Sequence, residues 1–157
     1  MAVGVMWGDR TFLFTAYTGS AASLIGGVTI SKAAYLNLQR QLNDNDINEW
    51  KDVRILVIDE VSFMSNSILK KLNRQLTHIG NRTKSFGGFS IIFAGDFHQL
   101  EPICSKESEL LFLSKSTQQW DQNINAIIIL DNKHRFEEDP ENGKMLKRMW
   151  EGDLSLE

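Results

Sequence analysis

Cysteine is almost absent from this sequence: Cys104 is the only one in 157 residues. A single thiol excludes a disulfide scaffold and fits a reducing compartment. Long hydrophobic runs are missing too. The longest, such as Ala126 to Leu130, fall far short of the roughly 18 residues of a membrane helix and suit buried strands instead. There is no surplus of positive charge, since 17 Lys and Arg against 20 Asp and Glu leave a net charge of −3. A protein that holds nucleic acid by bulk charge is basic, so any such contact is expected from a local groove. Metal-ligand spacings are lacking as well. His78, His98 and His134 stand far apart, which argues against zinc, and nothing near Cys104 in sequence offers it a base partner. Met1 to Trp7 has no basic n-region and no cleavage site, so it does not read as a signal peptide.

What is present is ordinary for one compact domain or part of a larger one: 42% apolar and 24% charged residues. Near-continuous apolar runs at Thr11 to Tyr17, Val53 to Ile58, Phe89 to Ala94 and Ala126 to Leu130 predict strands buried on both faces, as in a parallel sheet. Helical patterns lie between and after them. In Ser65 to Ile79 one stripe carries Ile68, Leu69, Leu72, Leu76 and Ile79, with Lys70, Lys71, Asn73 and Arg74 off it. Glu107 to Leu113 is a shorter candidate. Asp139-Pro140 reads as an N-cap and first-turn proline opening a helix with Met145, Leu146, Met149 and Trp150 on one face, closing near Gly152. The polar stretches 43–48 and 81–88 read as linkers. Alternating strands and helices predict an α/β layer fold, with no internal repeat and no domain boundary. Trp7, Trp50, Trp120 and Trp150 are spaced as packing residues, Trp50 as a shield for the sheet edge.

Chemistry in an open parallel sheet sits beyond the carboxyl ends of the strands. Two strands end in polar groups there. Ile55 to Ile58 runs into Asp59-Glu60, where two carboxylates emerge as the backbone leaves the sheet. They read either as solvated acids or as a nucleotide site, one holding Mg²⁺ and the other activating water. Phe89 to Ala94 runs into Gly95-Asp96-Phe97-His98-Gln99-Leu100. Glycine permits the sharp turn, and the loop offers Asp96, His98 and Gln99 to the same edge, with a glutamine amide able to report on a γ-phosphate. The bland reading of that loop is an Asx-type turn. Lys133, His134 and Arg135 form a small basic cluster after the last apolar run.

Asp59-Glu60-Val61-Ser62-Phe63-Met64, followed by Gly95 to Leu100, resembles motifs II and III of the Pif1-like DNA helicases, in the RecD/Pif1 branch of superfamily 1. Thr15 to Ala22 with Ile25 to Ile30 is similar to motif Ia of that family, and Leu130 to Phe136 to motif IV. The four come in family order between Thr15 and Arg135, and the helix from Gly143 to Gly152 resembles the one after motif IV. The resemblance implies a RecA-like P-loop NTPase fold of three layers with a mainly parallel sheet, incomplete at the N-terminus. Residues 1–157 would form a single partial first motor domain. It implies ATP and Mg²⁺ as cofactors, with Asp59 on the metal, Glu60 activating water, Gln99 sensing the γ-phosphate, Arg135 stabilising phosphoryl transfer and Asp96 lining the nucleotide site. Thr18, Gly19, Gly26, Gly27 and Lys32 would follow single-stranded DNA near a duplex junction. DNA unwinding in repair, recombination and telomere maintenance is the implied role. The implied place is intracellular, nuclear or mitochondrial in a eukaryote, with no membrane.

The chain departs from that pattern in places. A motor of this kind needs GxxxxGK[ST] before motif Ia, and no such sequence occurs here. Gly8-Asp9-Arg10-Thr11 lacks the lysine and leaves no room for a helix. Pif1-like sequences often carry histidine at the position of Ser31 and proline at those of Glu101 and Tyr17, and the first of these changes removes an expected DNA contact. The chain is therefore expected to be a fragment of a helicase, inactive alone. The other reading is a non-catalytic remnant that binds DNA or a protein partner.

Overall fold

The computed structural model describes residues 11–102, 106–111, 118–130 and 139–152. In the unit Met1–Asn123, four strands form one all-parallel sheet in the order β2-β1-β3-β4. They are β1 (Phe12–Ala16), β2 (Val28–Thr29), β3 (Ile55–Asp59) and β4 (Ser90–Phe93), joined by helices α1 (Gly19–Leu24), α2 (Ile30–Ala33), α3 (Asp44–Asn48) and α4 (Asn66–Ile79). Helix α5 (Gln118–Asn123) ends this unit, and α6 (Pro140–Glu151) belongs to a second one, Ile124–Glu157. The α/β class expected from the alternation of elements is the one found.

Three of the four apolar runs supply strands, and the fourth does not. Ala126–Leu130 carries no strand pairing, and Ile127 to Leu130 are 82–89% exposed. Branched apolar residues favour a pleated strand, but a strand exists only in a ladder, and no described segment provides one here. Nor are the sheet's two faces equally covered. Leu56 and Ile58 are fully buried in one core with Leu69, Leu72 and Leu76 of α4, all at 0% exposure. On the other face the rows Phe12–Ile55 and Phe14–Val57–Ile92 leave Phe12 and Ile92 about half exposed. Burial on both faces was expected. The helices recruited into the core cover one.

Helix α4 follows its sequence stripe closely. Ser65 caps it, accepting the Ile68 N–H at 3.3 Å, and Gly80 ends it. Each buried leucine contributes roughly 1.5–3 kcal/mol relative to exposure, which far outweighs the slight cost of the helix's own polar residues. Lys70, Arg74 and His78 sit on the wet side. Helix α6 also has the expected ends: Asp139 accepts the Asn142 N–H, Pro140 opens the first turn and Gly152 is left-handed at φ 73°. Of the candidate helix Glu107 to Leu113, only a 3₁₀ turn at Glu107–Glu109 is found, and residues 112–113 lie outside the described ones. Glu109 reaches across 42 residues to accept the Ser67 N–H at 2.9 Å. That bond holds its carboxyl below the usual carboxylate range.

Neither presumed linker is a plain loop. Residues 43–48 form α3, because Asn43 and Asp46 make a reciprocal capping box, each side chain accepting the other's backbone N–H. Residues 81–88 turn back onto α4, where Asn73 Oδ1 accepts the Phe86 N–H at 2.6 Å and the Phe86 ring is buried. Trp50 is buried as expected, edge-on to Phe89 at 5.3 Å with Nε1 donating to the Ala33 carbonyl. Trp7 lies outside the described residues.

Asp46 gives a pH test of this arrangement. The Arg40 guanidinium grips its carboxylate at 2.6 and 3.0 Å and, with the Asn43 N–H, holds its pKa below the ordinary value. A depressed folded pKa means that the stabilisation is present above the unfolded value, about 3.9, and is lost as pH falls through the folded one. Thermal melts of Asp46→Asn are therefore expected to lie below those of the parent at pH 7 and to converge with them below about pH 4. A constant gap at every pH would contradict the ion pair.

Candidate nucleotide and DNA edge

All four strands run parallel, so their carboxyl ends share one edge. Ala16 pairs with both Thr29 and Asp59, and Ile58 with Phe93. Asp59 and Glu60 therefore leave the sheet beside Tyr17-Thr18 on one side and Ala94-Gly95-Asp96 on the other. Asp59 and Glu60 follow the end of β3, and Asp96 and Gln99 lie on the turn after β4, on this same edge. Arg135, with Lys133 and His134, lies outside the described residues.

The two acidic loops are locked by backbone contacts. The Ala94 N–H donates to the Ile58 carbonyl at 2.8 Å, and the Val61 N–H returns to the Ala94 carbonyl at 3.0 Å. Gly95 then lies flat on the turn after β3. It has φ 151°, and a Cβ there would stand 2.9 Å from the Val61 nitrogen. Glycine is needed at this point for close approach as much as for the turn. Glu60 itself is left-handed at φ 57°, a conformation that costs a non-glycine residue of order 1–3 kcal/mol and concentrates at functional sites. Asp59 Oδ1 accepts the Glu60 N–H at 2.9 Å and so fixes one carboxylate against the other's backbone.

The loop after β4 is an Asx-type turn in fact. Asp96 Oδ1 accepts the His98 N–H at 2.9 Å, and the Asp96 carbonyl accepts the Gln99 N–H at 3.1 Å. His98 Nδ1 stands 3.3 Å from Asp96 Oδ1. The turn and the site are compatible, because this geometry is what holds the exposed Gln99 at the edge. Among the described residues no three His, Cys, Asp or Glu side chains form a metal cage. Mg²⁺ bound with a nucleotide needs none, being held by one or two carboxylates plus phosphates and water. The hard oxygens of Asp59 and its neighbours suit it.

Of the residues expected along DNA, Thr18, Gly19 and Lys32 follow the ends of β1 and β2 on this same edge. Thr18 caps α1, accepting the Ala21 N–H, Gly19 faces open space, and Lys32 is exposed. Gly26 and Gly27 lie before β2 and have structural duties. Gly26, at φ 64°, and Gly27 donate their N–H groups to the Ser23 and Ala22 carbonyls, closing α1 with a Schellman motif. A Cβ on Gly27 would stand 2.3 Å from the Phe14 carbonyl oxygen.

Two contacts beside the site escaped the sequence reading. Thr15, fully buried in β1, donates its hydroxyl to the Val57 carbonyl at 2.7 Å. A hydroxyl inside an apolar run was the available signal. Phe97 packs at right angles to Trp120, with ring centres 5.6 Å apart. No local pattern joins residues so far apart.

Comparison with known proteins gives a consistent result. The family model for PIF1-like helicases matches residues 5–151. An ATP-dependent DNA helicase PIF1 of Emericella nidulans is 33% identical over 90% of this chain and 20% of its own length. The crystal structure of a Pif1 helicase from Candida albicans superposes with a TM-score of 0.74 at 28% identity, covering 90% of this chain and 34% of that one. A Bacteroides Pif1 helicase in complex with ADP-AlF3 and ssDNA gives 0.79 over 96% of this chain and 39% of that one. At 23% identity, that likeness establishes the fold. The chain spans about a fifth of the length of the curated relatives it matches.

Proposed function

Because the chain belongs to the PIF1-like helicase family, we propose that it supplies the hydrolytic edge and part of the DNA path of an ATP-dependent DNA helicase. The observation that carries this is the locking of the β4 loop onto the β3 turn, with Gly95 against Val61, which sets Gln99 and Glu60 on one edge. Asp59 would hold Mg²⁺, which when bound neutralises phosphate charge. Glu60 accepts a proton from the attacking water. Gln99 bonds the γ-phosphate or that water, with Asp96 lining the site, and Arg135 offsets the charge that develops in phosphoryl transfer. Thr18, Gly19 and Lys32, with the Gly26-Gly27 turn below them, lie along the single strand. They would hold its backbone without reading its sequence.

The test joins this chain to a phosphate loop with its strand, and to a second motor domain, both from a relative. The joined protein is expected to hydrolyse ATP in a manner stimulated by single-stranded DNA. The 157-residue chain alone is expected to bind Mg·ATP weakly and show no turnover above background, since the loop normally supplies the backbone N–H groups and lysine that hold the β- and γ-phosphates. A joined protein that binds ATP but never hydrolyses it would instead support the non-catalytic remnant.

A further inference from the structure

Gln99 is exposed at the sheet edge, on a turn whose own bonds fix only its local shape. Gly95 against Val61 sets where the loop begins, and a second contact lies farther along it. Within it, Phe97 alone points a large ring back toward the body of the unit, where it packs beside the main core. One partner there is Trp120 on α5, perpendicular to it. Trp120 also lies 5.0 Å from Phe93, the last residue of β4, and Phe93 lies 6.3 Å from the buried Phe86. Phe86, Phe93, Trp120 and Phe97 thus form a continuous aromatic row from the back of α4 to the loop bearing Gln99.

We infer that Trp120 is a positioning residue for the Gln99 loop, holding it in register with Glu60 through Phe97. The assignment rests on the proposed hydrolytic edge for its functional meaning, though not for its geometry. An indole edge-on to Phe97 and tilted against Phe93 favours one arrangement of all three rings, and Trp120 touches both the end of β4 and the turn that follows. Moving the indole would remove one of the contacts that hold Phe97, which lies in the turn between Asp96 and His98-Gln99. Helix α5 ends at Asn123, where the second unit begins.

The experiment compares Trp120→Phe and Trp120→Leu in the 157-residue chain by amide hydrogen exchange. Trp120→Leu keeps an apolar side chain but loses the ring-edge contacts. It is expected to speed exchange at His98, Gln99 and Leu100 by about tenfold or more relative to β3 amides, as local opening becomes easier. Trp120→Phe should restore most of the protection. If the leucine variant protects the loop as well as the parent does, or if loop and β3 exchange rise together, the assignment is overturned. In the joined motor, Trp120→Leu should lower kcat by about 10–100-fold, the cost of misplacing a reacting group by an ångström, with KM for ATP little changed. A failed hydrolytic reading would show differently: Glu60→Gln would be silent in the joined motor while the exchange difference at the loop persisted.

Discussion

In the joined motor, replacing Glu60 by glutamine is expected to cut ATP hydrolysis by about 10²–10⁴-fold, the range for removal of a general base, while ATP still binds. Glutamine keeps the shape and the hydrogen bonding but has no basic oxygen for the water's proton. The local structure supports a clean result. The left-handed backbone at Glu60 is fixed by the Val61–Ala94 bond and by Gly95 packing on the turn, and neither involves the carboxylate. The Asp59 Oδ1 contact uses the Glu60 backbone N–H and also survives. Single-stranded DNA binding should be unchanged, because Thr18, Gly19 and Lys32 follow other strands. Hydrolysis rates and nucleotide affinity measured on the same preparation decide the matter. Hydrolysis at the parent rate would move the base to another residue.

The second large effect concerns stability. Gly87 has φ 65°, and a Cβ there would stand 2.1 Å from the Leu76 carbonyl oxygen. Gly87→Ala is expected to destabilise the chain by roughly 2–6 kcal/mol, summing the cost of a left-handed non-glycine residue and that of overpacking. The carbonyl it meets belongs to the backbone of α4 and already accepts the Gly80 N–H at 2.8 Å, so it cannot swing aside cheaply. Phe86, held by Asn73 on one side and buried on the other, removes the freedom to shift the turn instead. Urea unfolding of the variant beside Gly88→Ala makes the comparison. Gly88 also has positive φ, but a Cβ on it meets only the flexible Lys84 side chain, so it should cost markedly less. Equal losses at the two positions would mean that the close contact with α4 contributes nothing.

That contrast cannot be drawn from the sequence, where Gly87 and Gly88 are two like letters in a polar stretch. Much else was legible. The leucine stripe of α4, its Ser65 cap, and the Asp139-Pro140 opening and Gly152 close of α6 are local patterns, and a helix is built from contacts three and four residues apart. The acids at the end of β3 and the glycine turn after β4 were legible for a similar reason, since an apolar run followed by a polar turn marks where a strand leaves its sheet. The capping box of α3 is equally local, but the polar composition of 43–48 resembles a linker and hides the Asn43–Asp46 spacing.

By itself, then, the sequence determined which segments could be helices and strands, which side chains could perform phosphate chemistry, and, through four motifs in order, the family. Only the tertiary structure decided that Ala126–Leu130 forms no strand among the described residues, that one face of the sheet is left half open, and that Gly26 and Gly27 serve the end of α1. It alone placed Trp120 against the loop of Gln99. Each of these depends on a partner many residues away. A strand needs a neighbour's N–H and C=O groups, and a glycine's necessity depends on which backbone passes above it. Neither is encoded in local periodicity, which specifies what a segment can form but not what it will meet.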